Sequence, residues 1–232
     1  MRKIGFIGAF DKTDFIIYTA RILAEMGEKV IVIDTTINQR AKYVVPALGP
    51  TKTYITDFEG IDVAVGYKDF NDIKAYLGME ESEKLDYDYA FVDIDSYEML
   101  NSFNAIKFDR NYFVTSFDVY SLRRGLEILS GLQYPLPMKK ILFSKSALKE
   151  EEEYLNFLSL GYKIEWDTER IYMPFDVGDQ SIIYENQRVS KIKFKKLSNG
   201  YKMGIQYVAS EITDFADDAL VKKCFKTIER SI

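Results

Sequence analysis

Apolar residues fall along this chain in short β-branched runs separated by stretches of helical period. The runs are Ile4–Ile7, Val30–Ile33, Ile61–Val65, Tyr89–Ile94, Tyr112–Thr115 and Lys140–Phe143, with little polar alternation inside them. Strands of that kind are buried on both faces. Between them, Asp14–Met26 puts Ile16, Ile17, Ala20, Leu23 and Ala24 on one face of a helix, and Gly27 stops it. Asp69–Leu77, Leu122–Leu129 and Lys149–Leu160 read as further helices, the last stopped by Gly161. Its Glu150–Glu153 run suits the positive end of a helix, and is read as a solvated cap rather than a metal site. Residues 35–60 are looser. This order predicts one α/β domain over 1–232, a mostly parallel sheet with helices on both faces.

The pattern changes after Val189. Ser190–Leu197 and Tyr201–Ala209 are read as alternating runs around Ser198-Asn199-Gly200, and Asn-Gly between such runs signals a β-hairpin. Residues 189–210 are therefore expected to form one, with Lys191, Lys193 and Lys195 guarding its face against aggregation. The final stretch, 211–232, is expected to hold a terminal helix over Asp214–Ile232. There Val221, Cys224, Phe225, Ile228 and Ile232 oppose Lys222, Lys223, Lys226 and Arg230. Two readings are open: a last helix closing the core, which is favoured, or a basic amphipathic helix lying on an acidic membrane.

Composition narrows the chemistry. With 232 residues, 47% of them apolar, the chain can bury one sizeable core. A formal charge of −5 gives no reason to expect general nucleic-acid binding. The single cysteine, Cys224, excludes an internal disulfide and a cysteine-cluster metal site. Histidine is absent, which removes Ser-His and Cys-His catalysis and histidine-rich zinc sites. Arg2-Lys3 leads into a short strand, no leader pattern is visible, and no apolar run reaches membrane-spanning length. The expectation is a cytoplasmic protein, peripheral at a membrane if the tail touches one.

The first strand ends at Gly8, and Asp11-Lys12-Thr13 opens the helix behind it. In a phosphate-binding loop a lysine placed there meets the β- and γ-phosphates, and a threonine hydroxyl holds magnesium. Asp34 closes the second strand and Asp93 closes a later one, as in a Walker B element. The carboxyl ends of neighbouring parallel strands converge on one crevice, so these motifs are expected to face one another.

From Lys3 to about Val189 the chain resembles the ParA/MinD group, the deviant-Walker P-loop ATPases of the SIMIBI class. The likeness is carried by Gly27–Asp34 (GEKVIVID), Leu85–Asp93 (LDYDYAFVD), Phe113–Leu126 (FVTSFDVYSLRRGL) and Ile171–Asp176 (IYMPFD), in that order. It implies a P-loop NTPase-like fold binding ATP or ADP with magnesium. Gly8, Ala9, Asp11, Lys12, Thr13, Asp93, Pro174 and Asp176 would be nucleotide-binding. Asp34 would be catalytic, orienting water, and Thr13, Asp34 and Asp93 would serve the metal through the nucleotide.

The departures lie in the loop, where the family's K-G-G-x-G-K-T stands as Ile7-Gly8-Ala9-Phe10-Asp11-Lys12-Thr13. The lysine that relatives send across a nucleotide-sandwich dimer is Ile7. The last glycine is Asp11, a carboxylate beside the phosphates, and such repulsion is worth about a few kcal/mol in a partly buried site. The adenine-contacting asparagine has no counterpart in Ile141–Lys145. Efficient hydrolysis is not expected. Whether nucleotide binding survives is open.

The resemblance implies a homodimeric positioning or assembly factor with a degenerate nucleotide site, working through dimerisation and a protein partner. The alternative is a slow ATP-hydrolysing partition or polar-localisation ATPase. A third reading, an NAD(P)-binding Rossmann protein, meets Phe10 and Thr13 where the G-x-G-x-x-G fingerprint needs glycine.

Overall fold

The computed structural model describes residues 1–49, 51–144 and 149–230. An eight-stranded sheet organises them, in the order β3-β4-β2-β5-β1-β6-β7-β8. The strands are β1 Arg2–Ile7, β2 Val30–Asp34, β3 Tyr54–Phe58, β4 Ile61–Val65, β5 Tyr89–Ile94, β6 Arg110–Ser116, β7 Leu136–Phe143 and β8 Ile164–Met173. All neighbours pair parallel except β3 and β4, an antiparallel edge hairpin. The mostly parallel sheet expected from the apolar runs is present, and each of those six runs lies in it.

Alternation along β1 assigns the layers. Ile4 and Phe6 belong to one core with helix α1 (Thr13–Glu25), and Ile7 belongs to the opposite core. The first core also takes buried residues of α7 (Val177–Arg188), α8 (Asn199–Ile212) and α9 (Asp218–Arg230). The second takes those of α3 (Phe70–Tyr76), α4 (Tyr97–Ser102), α5 (Val119–Ile128) and α6 (Lys149–Ser159). Helix α2 (Ala41–Val44) is a single turn within the segment expected to be loose. Gly27 ends α1 in a left-handed conformation (φ 95°), which only glycine adopts without strain.

The expected hairpin at 189–210 does not form. Residues 191–198 run as irregular chain and turn, and α8 begins at Asn199. Ser198 accepts from the Tyr201 amide at 3.2 Å and caps the helix, placing Asn199-Gly200 in its first turn. The buried residues Tyr201, Ile205, Val208, Ala209 and Ile212 follow the helical period, so the chain buries them on one stripe rather than one strand face. The lysines at 191, 193 and 195 consequently decorate a loop.

The terminal helix is present, and its apolar stripe faces inward. Val221, Cys224, Phe225 and Ile228 are all under 9% exposed, and the Phe225 ring meets Phe194 edge-on at 5.2 Å. The docked stripe is what the favoured reading, a last helix closing the core, expects. Ile232 lies outside the described residues, as does Lys145. Among the described residues, no helix is long and apolar enough to cross a membrane.

Candidate functional site

The crevice forms where β1 stands between β5 and β6. Gly8 follows β1, and its backbone has φ 150°; a Cβ there would sit 2.1 Å from the Val114 carbonyl oxygen of β6. No other residue type fits so close an approach. Ala9, Phe10 and Asp11 have ordinary negative φ, so the loop needs no glycine at the two places where the resemblance expects one. Thr13 then opens α1.

Lys12, Thr13 and Asp93 come together as expected. Lys12 is 2% exposed; its Nζ donates to the Gly8 carbonyl at 2.8 Å and pairs with Asp93 Oδ1 at 2.7 Å. Thr13 Oγ1 donates to Asp93 Oδ2 at 3.3 Å. Burial pushes the Asp93 carboxyl up to about 7; Lys12 opposes the rise, while Asp34 and Asp11 add to it. Once ionised, Asp93 answers the charge of the loop lysine inside the protein.

Asp34 stands beside Asp93 in register but serves the backbone. Its Oδ1 accepts from the Thr36 amide at 2.9 Å and the Thr36 hydroxyl at 2.6 Å, and its Oδ2 accepts from the Ala41 amide at 2.8 Å. Both oxygens hold the chain after β2 in place. Neither lines the cleft.

Asp11 points outward into that cleft, and its charge is answered. Arg40 Nη1 lies 2.7 Å from Asp11 Oδ2, and Arg40 Nη2 lies 3.8 Å from Asp14 Oδ2. Asp14 accepts from Gln187 Nε2 through both oxygens at 2.9 Å. Burial raises the Asp14 carboxyl to about 6, with Gln187 opposing, Asp11 adding and Arg40 opposing. Arg40, Asn38 and Tyr43 come from the loose segment after β2, where no periodicity marks them; of the sequence signals, only the placement of Asp34 pointed there.

Pro174 and Asp176 sit farther out. Asp176 caps α7, accepting from the Asp179 amide at 3.0 Å, and Pro174 lies against the start of α8 beneath Gly200. Phe175 between them is the residue that reaches the site. With Phe143 and Tyr201 it lines a cavity of about 320 Å³, mainly apolar but edged by Asp14, Arg40 and Gln180, beside the loop cleft, which itself measures about 430 Å³. The Phe10 ring lies tilted by 36° against Phe143 with centroids 4.7 Å apart, so the residue that spoils a dinucleotide fingerprint forms part of an aromatic wall.

Sheet order also corrects the dinucleotide reading. A Rossmann unit sets its first two strands side by side. Here β5 lies between β1 and β2, so Asp34 is one strand away from the position that holds a ribose.

The arrangement has counterparts in solved structures. A plasmid partition protein from Borrelia burgdorferi B31, bound to AMPPNP, superposes with a TM-score of 0.59 at 12% identity, over 92% of this chain and 98% of that one. The cell division ATPase MinD of Pyrococcus furiosus gives 0.56 at 17% identity, over 93% and 99%. A ParA family ATPase from Chlorobium tepidum TLS gives 0.51 at 16% identity, over 97% and 96%. The sequence matches no family model, and no curated protein resembles it in sequence. At such identities the likeness is one of fold, and it covers nearly the whole chain. The chain has the ParA/MinD fold, a mostly parallel α/β sheet with a phosphate-loop crevice at its carboxyl end.

Proposed function

We propose that this protein is a ParA/MinD-like positioning or assembly factor with a degenerate nucleotide site, acting through dimerisation and protein contacts rather than rapid turnover. The observation that carries the reading is the Lys12–Asp93 pair, buried at 2.7 Å. A lysine so engaged keeps one N–H for a phosphate, but its charge is already answered by Asp93. Three carboxylates line the cleft (Asp11, Asp93 and Asp95) against two cations, Lys12 and Arg40. A polyanion entering it meets little net attraction, so nucleotide binding is weak and needs magnesium.

Thr13 and Asp93 supply the oxygen donors that magnesium prefers, and would hold it together with the nucleotide. Among the described residues no group of three or more carboxylates or thiols could hold a metal unaided. Bound magnesium would neutralise phosphate charge. Lys12 would orient the phosphate, and Asp34 would keep the Arg40 segment in place. Position 7, where the resemblance expects the lysine that crosses a dimer, is an isoleucine with no exposed surface. Nothing at that position reaches a second subunit, which supports slow or absent hydrolysis.

Sedimentation velocity with and without MgATP, run beside a phosphate-release assay, tests this reading. A self-associating protein with turnover below about one per minute is expected; such a rate lies far under the ordinary enzyme range. A strict monomer in both conditions would contradict it. The second reading, a slow partition ATPase, is favoured by the aromatic cavity beside the loop, which has the size and lining to take a flat ring. Turnover of several per minute would select it.

A further inference from the structure

Two cavities open side by side at the carboxyl end of the sheet, and Phe10, Asp11 and Arg40 line both. One holds the loop with Lys12, Thr13 and Asp93; the other is walled by Phe143, Phe175 and Tyr201. The Asp11–Arg40 ion pair therefore stands on the boundary between the charged loop cleft and a space walled mainly by rings.

The backbone beside Arg40 is fixed from both directions. Gln39 takes a left-handed conformation (φ 46°), and its amide donates to Thr36 Oγ1 at 3.1 Å. The Ala41 amide on the other side donates to Asp34. Asp34 thus anchors Thr36 and Ala41 with one carboxylate, and Arg40 lies between them on a firm base. The side chain itself has looser ties. Its carboxylate neighbours are Asp11, itself 44% exposed, and the more distant Asp14. Its buried Nε has no hydrogen-bond partner.

We infer that Arg40 is a second phosphate-binding cation of this site, beside Lys12, and that its pair with Asp11 is a latch dividing the two cavities. The inference rests on the nucleotide-site reading above and deepens it. A nucleoside polyphosphate lying across both cavities, ring against Phe143 and Tyr201, draws the guanidinium off Asp11. Exchange of one oxyanion for another keeps the charge on Arg40 answered throughout. The planar fork suits a phosphate, which it grips through two parallel N–H donors. The fixed backbone keeps the ordering cost to the side chain alone. The latch also explains how Asp11 is tolerated in a phosphate loop: with no ligand bound, its charge stabilises the closed arrangement.

The test is a binding cycle by calorimetry on the full chain, with MgATP and inorganic tripolyphosphate as probes and circular dichroism as the folding control. Asp11 and Arg40 are partly exposed, so the variants should fold. Asp11→Asn breaks the latch and leaves Arg40 free, and is expected to tighten binding of both probes at least tenfold. Adding Arg40→Ala should erase that gain. Equal affinity in Asp11→Asn with and without Arg40 would overturn the inference, because the gain would then come from loss of repulsion alone. Failure of MgATP to bind any of the folded proteins would overturn it differently, by removing the nucleotide reading beneath it.

Discussion

Replacing Lys12 by methionine keeps the length and apolar stem of the side chain and removes its charge. Asp93 is then left in a site with almost no solvent contact, 1% exposed, beside Asp34. It can stay charged without its partner or hold a proton. In the wild type burial places its carboxyl near 7, well above the value of 3.8 for an unperturbed aspartate. The folded state therefore keeps a proton that the unfolded state releases. The stability this confers is full below about pH 4, falls as pH rises, and is gone above 7. Without Lys12 the folded-state value moves higher, and the fall continues past 7. Each further unit costs about 1.4 kcal/mol, so the variant's extra destabilisation should grow above pH 7, by at most about 2 kcal/mol between pH 7 and 9 because the wild type is itself half protonated at 7. Urea unfolding followed by the fluorescence of Trp166, at pH 6, 7, 8 and 9, measures it. Lys12→Met/Asp93→Asn should lose the pH dependence. A destabilisation identical at pH 6 and 9 would refute the buried pair.

Three further predictions come from neighbouring residues. Gly8→Ala should cost more than about 2 kcal/mol in the same unfolding assay, since its methyl would overlap the Val114 carbonyl oxygen; a neutral outcome would contradict the close approach of loop and β6. Asp14→Asn should gain stability over the wild type as pH rises from about 4 to 6, reaching about 2–3 kcal/mol and then levelling, because the wild-type carboxyl is raised to about 6 by burial. A gap that does not widen over that interval would count against it. Phe225→Ala should cost about 3–5 kcal/mol, as expected for a buried ring packed on Phe194; a loss under 1 kcal/mol would show that α9 is not docked.

Those residues also show which signals a sequence carries. Lys12, Thr13 and Asp93 were legible because each sits at the end of a regular element, where strand and helix periods fix its place. Asp34 was legible as a position but not as a role. Its hydrogen bonds go to Thr36 and Ala41, in a segment without periodicity, and only coordinates reveal that it anchors the chain. Arg40 was invisible for the same reason, although it answers the charge that made Asp11 look disabling. The C-terminal error had another source. Asn-Gly is a strong turn signal between alternating runs, but Ser198 ahead of it is an equally good helix cap, and the spacing of Tyr201, Ile205, Val208 and Ile212 is helical. Two local codes competed there, and burial of one continuous stripe against the sheet decided between them.

The central claim is that the loop cation is held internally and the nucleotide site is correspondingly weak. Calorimetric titration of the wild-type protein with ATP, with and without magnesium and beside Lys12→Ala, tests it most directly. The account predicts a dissociation constant of roughly 0.1–1 mM with magnesium, about −5.5 to −4.1 kcal/mol, none measurable without it, and none in Lys12→Ala. Micromolar binding that survives Lys12→Ala would contradict it.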